Sequence, residues 1–324
     1  MKILVTGGAG YIGSHVTKYL LDKGYKVSVL DNLSNGRREF VDKRAKFHKG
    51  DLANKDDIKK ALKSCQAAMH FAASASVPDS VKNPGEYFVN NVSNGLNLLE
   101  VMWELGVNYL IFSSSAGVYG NPIRVPIKED DPKIPTHPYG LSKLMFEEIL
   151  EWYNRAYDLK SISLRYFCAA GADPRGGIGE DHRPETHLIP VVLDVALGRR
   201  DHVEVFGGDF DTPDGTGVRD FVHVMDIAES HAVALKHLLE EKQSEIFNVG
   251  IGKGYSVLEV IKAAEEVTGK KIKFKKVGRR PGDPDKLVAD VGKIRSALGW
   301  EAKNKDLKDM IEDAWEWHKS YFQK

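Results

Sequence analysis

Tyr139 and Lys143 lie four residues apart in Tyr139-Gly140-Leu141-Ser142-Lys143. On a helix that spacing puts both side chains on one face. A phenol ordinarily ionises near pH 10 (about) and is no base at neutral pH unaided, but adjacent positive charge favours the phenolate. A tyrosine so placed could carry a proton to or from a substrate hydroxyl. Ser115, in Phe112-Ser113-Ser114-Ser115-Ala116, can donate or relay a hydrogen bond to the same oxygen. Tyr-x-x-x-Lys alone is common on helix surfaces, and its meaning here comes from the segment that precedes it.

That segment is Gly7-Gly8-Ala9-Gly10-Tyr11-Ile12-Gly13, between a strand-like run and a helix-like one. Gly7 allows a tight turn, Gly10 lets the backbone approach a pyrophosphate, and Gly13 permits close helix–strand packing. The helix start then presents free N–H groups to phosphate. The spacing is GxxGxxG. Asp31 lies 18 residues beyond Gly13, where a carboxylate would accept hydrogen bonds from an adenosine ribose and repel a 2′-phosphate. NAD is therefore favoured over NADP, with Arg37 and Arg38 leaving a small opening for the latter.

The elements that must position these groups follow a rhythm. Strands are predicted over residues 2–6, 27–30, 45–48, 67–71, 109–113 and 160–165, with helices between them, notably 11–23, 86–105 and 139–157. This alternation predicts an α/β fold, a doubly wound parallel sheet (Rossmann) domain over 1–167. A smaller α/β substrate-binding domain is expected over 168–324, with a segment near 218–250 returning to the first. Residues 171–186 and 207–217 read as binding loops.

Lys plus Arg (46) balances Asp plus Glu (46) in 324 residues, so no net field draws nucleic acid or an anionic membrane. An anionic substrate would be held by a few placed cations. Cys65 and Cys168 are too few for a disulfide framework. With no signal-like segment and no long apolar run, a soluble, cytoplasmic protein is expected.

The sequence resembles the extended short-chain dehydrogenase/reductase family along nearly its whole length. The residues that carry it are Thr6 to His15, Asp31-Asn32, Asp51-Leu52, His70 to Ala73, Asn90-Asn91-Val92, Ser113 to Ala116, Tyr139 to Lys143 and Leu164 to Phe167. The resemblance implies that Tyr139, Lys143 and Ser115 are catalytic. It also implies that Gly7, Gly10, Tyr11, Ile12, Gly13, Asp31, Asn32, Asp51, Leu52, Phe71, Ala72, Ala73, Asn90 and Phe167, with Tyr139 and Lys143, hold NAD.

Ala169 to Ala172, Gly179-Glu180-Asp181, His187 to Pro190 and Asp214 to Asp226 are similar to the branch that inverts C4 of UDP-hexoses. That likeness implies that Leu188, Phe206, Arg219, Arg280 and Asp283 contact UDP, with Ser115, Tyr139, Cys168, His187 and Leu287 toward the sugar. Two arginines can clamp a diphosphate. The implied reaction is reversible epimerisation of UDP-glucose and UDP-galactose: C4 loses a hydride to tightly bound NAD, the 4-ketohexose turns over, and the hydride returns.

Cys168 stands where the family commonly has Asn, and Leu287 where Tyr or Cys is frequent, so UDP-N-acetylhexosamines or UDP-uronates are alternative substrates. A 4,6-dehydratase would need an Asp-Glu pair where Ala116 and Gly117 stand, and an NAD-sensing protein would usually lack the Tyr or Lys. His182 and His187 lie near Asp181 and Glu185, but HExxH and CxxC spacings are missing and no metal is expected. A homodimer is predicted through residues 86–105 and 139–157, on the apolar set Leu96, Leu99, Met102, Trp103, Met145, Ile149 and Trp152.

Overall fold

The structure, a computed structural model, describes residues 1–280 and 282–323. Its strands are β1 (Lys2–Thr6), β2 (Lys26–Asp31), β3 (Lys46–Lys49), β4 (Ala67–His70), β5 (Tyr109–Ser115), β6 (Lys160–Tyr166) and β7 (Cys168–Ala170). They continue with β8 (Val203–Phe206), β9 (Val218–His223), β10 (Glu245–Val249), β11 (Gly254–Ser256), β12 (Phe274–Val277) and β13 (Lys286–Leu287). The helices are α1 (Tyr11–Asp22), α2 (Lys55–Leu62), α3 (Val77–Lys82), α4 (Pro84–Phe88), α5 (Asn94–Glu104) and α6 (Pro138–Tyr157). After them come α7 (Leu188–Ala196), α8 (Val224–Glu241), α9 (Val257–Thr268), α10 (Gly292–Leu298) and α11 (Leu307–Phe322).

Seven parallel strands form the main sheet in the order β10-β6-β5-β4-β1-β2-β3. The strands read as continuous apolar runs because both sheet faces are covered. Alternation within each run divides them between two cores. Ile3, Val5, Val29, Met69 and Ile111 pack under α1 and α8, while Leu4, Leu30, Ala68, Leu110 and Phe112 pack under α2, α5 and α6. Although β10 follows β9 and α8 in the chain, it pairs with β6 at the sheet edge. The strand order reverses between β1 and β4, and the crevice outside the carboxyl ends there is where such sheets bind ligands. The remaining strands form two small sheets that pack with α7, α9 and α11 around a third core containing Val192, Leu193, Val260 and Met310.

The helix predicted over 86–105 is not continuous. It runs through α4, a π-helical turn at Val89–Ser93, and α5. Such insertions re-aim side chains at functional sites. Here Asn91 is turned to the loop after β4: its Oδ1 accepts from Ser74 N (2.8 Å) and its Nδ2 donates to Ser74 O (2.9 Å) and Ser142 Oγ (3.0 Å).

Candidate active site

A cavity of about 1540 Å³ runs along the carboxyl ends of β1, β2, β4 and β5 and into the second lobe. At one end lies the glycine turn. Gly7 has φ +71, and a Cβ there would sit 2.6 Å from Ala72 N. A Cβ on Gly13 would sit 2.2 Å from the Gly7 carbonyl oxygen. Gly10 is the N-cap of α1, with no side chain satisfying the first N–H groups. Asp31, buried at the end of β2, accepts from Ala9 N (2.9 Å) and Leu33 N (2.8 Å). Asn32 Nδ2 donates to Asp51 Oδ2 (2.7 Å), and Asn90 Nδ2 donates to Ser74 Oγ (3.1 Å).

At mid-cavity, β5 delivers Ser115 while α6 delivers Tyr139 and Lys143. Pro138 at the first helical position and His137 Nδ1, accepting from Gly140 N at 3.0 Å, start that helix. Lys143 is buried, donates to Ser113 O (2.7 Å), and lies 5.8 Å from the Tyr139 ring centroid. Burial lowers its pKa to about 7 against the pull of Glu147. Burial also raises the Tyr139 phenol, with the Ser115 hydroxyl acting in the opposite direction. Among the protein's own groups burial has the largest effect on Tyr139, and the expected depression by Lys143 together with an oxidised nicotinamide concerns the two charges acting jointly. The ammonium is aimed at a carbonyl and is itself desolvated.

A buried network ties the two elements together. Arg165 on β6 donates to both Glu147 oxygens, at 2.9 and 2.6 Å, and to the Tyr119 hydroxyl at 2.9 Å. Glu147, on α6 one turn beyond Lys143, also accepts from Ser114 Oγ (2.5 Å) on β5. Sequence reasoning missed Glu147 and the positioning part of Asn91. The only available signal was an acid inside an otherwise core-facing stretch of helix.

At the far end, Arg280 lies over the Phe206 ring at 3.6 Å and Arg219 pairs with Asp283. Leu188 and Phe167 also line the cavity, Phe167 packing against the cluster around Ala116. Cys168 lies on β7, its thiol pushed up to about 11 by burial, so it stays neutral there. His187, half exposed, holds Glu180 through Nδ1 at 2.6 Å. Burial pushes Glu180 toward its neutral form, but His187 and His182 outweigh it and hold the pKa at about 2.

Among the expected site residues, Leu287 alone does not reach the cavity. On the two-residue β13 it stands opposite Arg219, and its side chain packs with Ala116, Val118, Tyr119 and Ile127. Register along the chain says where Leu287 falls but not which way its side chain faces. The opening left for NADP also narrows. Arg37 Nε is taken by Asp181 Oδ2 at 2.8 Å, and Arg38 lies over Phe47 at 4.4 Å.

Residues 3–250 match the model of the NAD dependent epimerase/dehydratase family. The chain belongs to that family. It is 49% identical over 325 residues to a UDP-glucose 4-epimerase of Streptococcus mutans, covering 99% of this chain and 98% of that one. The UDP-glucose 4-epimerase of Brucella ovis, solved with NAD, superposes with a TM-score of 0.94 at 41% identity, covering 97% of each chain. That of Bifidobacterium longum, solved with NAD+ and UDP, superposes with a TM-score of 0.94 at 39% identity, covering 99% of each. Within the epimerase/dehydratase family Ala116 and Gly117 argue for epimerisation, since neither can move the protons a dehydration needs.

Proposed function

We propose that this chain interconverts UDP-glucose and UDP-galactose by inversion at C4, with NAD bound through turnover. The observation that carries this reading is one continuous cavity in which Ser115, Tyr139 and Lys143 stand between a glycine cradle and the cationic end at Arg219 and Arg280. Its volume exceeds the roughly 300–1,000 Å³ of an ordinary ligand pocket, which suits two ligands side by side. The tight approaches at Gly7 and Gly13 and the ribose-facing carboxylate of Asp31 fit a dinucleotide without a 2′-phosphate. The relatives described above support the same pairing of NAD with a UDP-sugar.

Residues 1–167, with 218–250, would serve as the NAD lobe and the rest of 168–324 as the UDP-sugar lobe. NAD held by the glycine turn, Asp31 and Lys143 would supply a reversible hydride acceptor for C4, and its cationic ring would favour the Tyr139 phenolate. Tyr139 receives the C4 hydroxyl proton and returns it, and Ser115 holds the same oxygen by a hydrogen bond. Arg219 and Arg280 anchor the diphosphate, Asp283 accepts from the ribose, and Phe206 offers its ring to uracil. The sugar is left free to turn against Cys168 and His187. Anchoring one end while leaving the other mobile is what inversion requires.

The test incubates purified protein with UDP-galactose and follows UDP-glucose through a coupled dehydrogenase, with the N-acetylated and uronate pairs in parallel. UDP-glucose formation with no added NAD is the expected outcome. Turnover of neither neutral hexose would overturn the reading.

A homodimer through α5 and α6 belongs to the same proposal. Leu99 and Met102 are buried in the chain's own core, but Trp103 and Trp152 are 54% and 65% exposed, and Tyr157 packs on Trp103 at 5.1 Å. Two exposed tryptophans on adjacent helices form the kind of patch that marks an interface. A monomer mass by light scattering at micromolar concentration would exclude it. The cytoplasm is proposed as the location because both cysteines are free. Among the described residues, no helix is long and apolar enough to cross a membrane.

A further inference from the structure

The segment between β7 and α7 brings together four groups that the proposed reaction does not need as a set. One ligand atom from each of Glu180, His182, Glu185 and His187 lies within 4.8 Å of every other. His182 Nδ1 is 3.3 Å from Glu180 Oε1 and 3.5 Å from Glu185 Oε2. That nitrogen is buried and makes a hydrogen bond to neither. Glu180 is only 6% exposed. Among the described residues, no lysine or arginine side chain pairs with either glutamate. Arg37 and Arg183 pair instead with Asp181, while Arg200 reaches only the Glu185 carbonyl oxygen. Among the described residues, the side chains that face these two carboxylates are therefore the two imidazoles, which can serve either as cations or as metal ligands.

The segment is also held in shape from behind. Glu185 Oε1 accepts from the backbone N–H groups of Thr186 (2.8 Å) and His187 (2.9 Å). Gly179 packs so closely on Trp317 that a Cβ there would lie 2.2 Å from the indole. Hydrogen bonds that orient ligating groups before a metal arrives are characteristic of built sites.

We propose that Glu180, His182, Glu185 and His187 form a closed, four-ligand site for a zinc-class divalent transition metal on the wall of the cavity. Two imidazole nitrogens with two carboxylate oxygens suit Zn²⁺, whereas Ca²⁺ and Mg²⁺ take oxygen alone. Bonds of about 2.0–2.2 Å put tetrahedral ligand atoms roughly 3.3–3.6 Å apart, which matches the His182–Glu180 and His182–Glu185 separations of 3.3 and 3.5 Å and asks the His187–Glu180 pair, at 2.6 Å, to open. The four protein ligands leave no open position, so the metal fixes residues 180–187 and activates no water. Sequence spacing hid the site because two of its ligands, Glu180 and His187, flank a turn that only the fold closes.

The test uses the full chain, stripped with a chelator and titrated with zinc chloride against a chromophoric zinc indicator at pH 7.5. Bound metal is counted by elemental analysis. One equivalent per chain is expected, unaffected by millimolar Mg²⁺ and raising the melting temperature. Glu185→Gln and His187→Asn should each weaken zinc at least tenfold, and His202→Gln, outside the cluster, should leave it unchanged. His187 is half exposed, so its variant keeps the comparison meaningful if the Glu185 variant fails to fold. Binding below about 0.2 equivalents, or equal affinity in the cluster variants and His202→Gln, overturns the site and leaves an ion-pair cluster. None of these readouts uses epimerase activity, so this result and the proposed function stand or fall separately.

Discussion

Glu147→Ala should destabilise the protein while leaving every cavity-lining residue in place. The carboxylate holds Arg165 by two hydrogen bonds, at 2.9 and 2.6 Å, and accepts from Ser114 at 2.5 Å. The paired side chains are 1% and 3% exposed. Without Glu147, Arg165 keeps only the Tyr119 hydroxyl at 2.9 Å and the Glu129 carbonyl at 3.1 Å. Neither carries the negative charge that a buried guanidinium requires. Breaking a buried pair from one side costs about 3–5 kcal/mol. For a chain of this length that corresponds to a melting-temperature loss of roughly 4–7 °C. The double variant Glu147→Leu/Arg165→Met removes both charges and should lose less than Glu147→Ala alone, because no unpaired charge remains. Scanning calorimetry of wild type, Glu147→Ala, Glu147→Leu, Arg165→Met and the double variant measures this. A Glu147→Ala melting point within 1 °C (roughly) of wild type would refute the argument, as would a double variant less stable than either single.

Three further outcomes are expected. Tyr139→Phe should retain bound NAD, read by release and chromatography, while turnover falls by roughly two to four orders of magnitude; near-normal turnover would remove Tyr139 from the proton path. Gly13→Ala should purify largely free of NAD, because its Cβ would lie 2.2 Å from the Gly7 oxygen and push the turn out of shape; full NAD content would show that the turn can relax. His231 is buried against Phe71 and Tyr166, and burial lowers its pKa to about 4, against an ordinary value near 6.5. The unfolded chain binds this proton first as pH falls, so the neutral imidazole's contribution is complete above about pH 6.5 and is lost toward pH 4. The melting-temperature advantage of wild type over His231→Leu should shrink across that window, and a constant difference would show that His231 does not titrate there.

Local signals in the sequence were sufficient for six of the seven strands of the main sheet, all but β10. Continuous apolar runs at regular spacing can be satisfied only in a parallel sheet covered on both faces. Gly13 meets the Gly7 carbonyl within the same turn, and Tyr139 and Lys143 share a face through the helical repeat. Each relation is short in sequence and needs no knowledge of the rest of the chain. What required the tertiary structure was direction and long-range pairing. Leu287 has the position in the chain expected of a sugar contact, yet the pairing of β13 with β9 turns it to the cluster around Ala116. The expected helix over 86–105 yields to a π-turn because Asn91 must meet Ser74 and Ser142, contacts absent from helical periodicity. Lys143 points to a strand carbonyl, so the charge balance at Tyr139 depends on what burial does to both groups. Glu147 and Arg165 meet only when α6 lies across β6, and the four groups of the 180–187 segment converge only when Trp317 and α7 fix that turn. Spacing along the chain sets which residues share an element, but the facing of short strands and the partners of buried charges are settled by packing between elements distant in sequence.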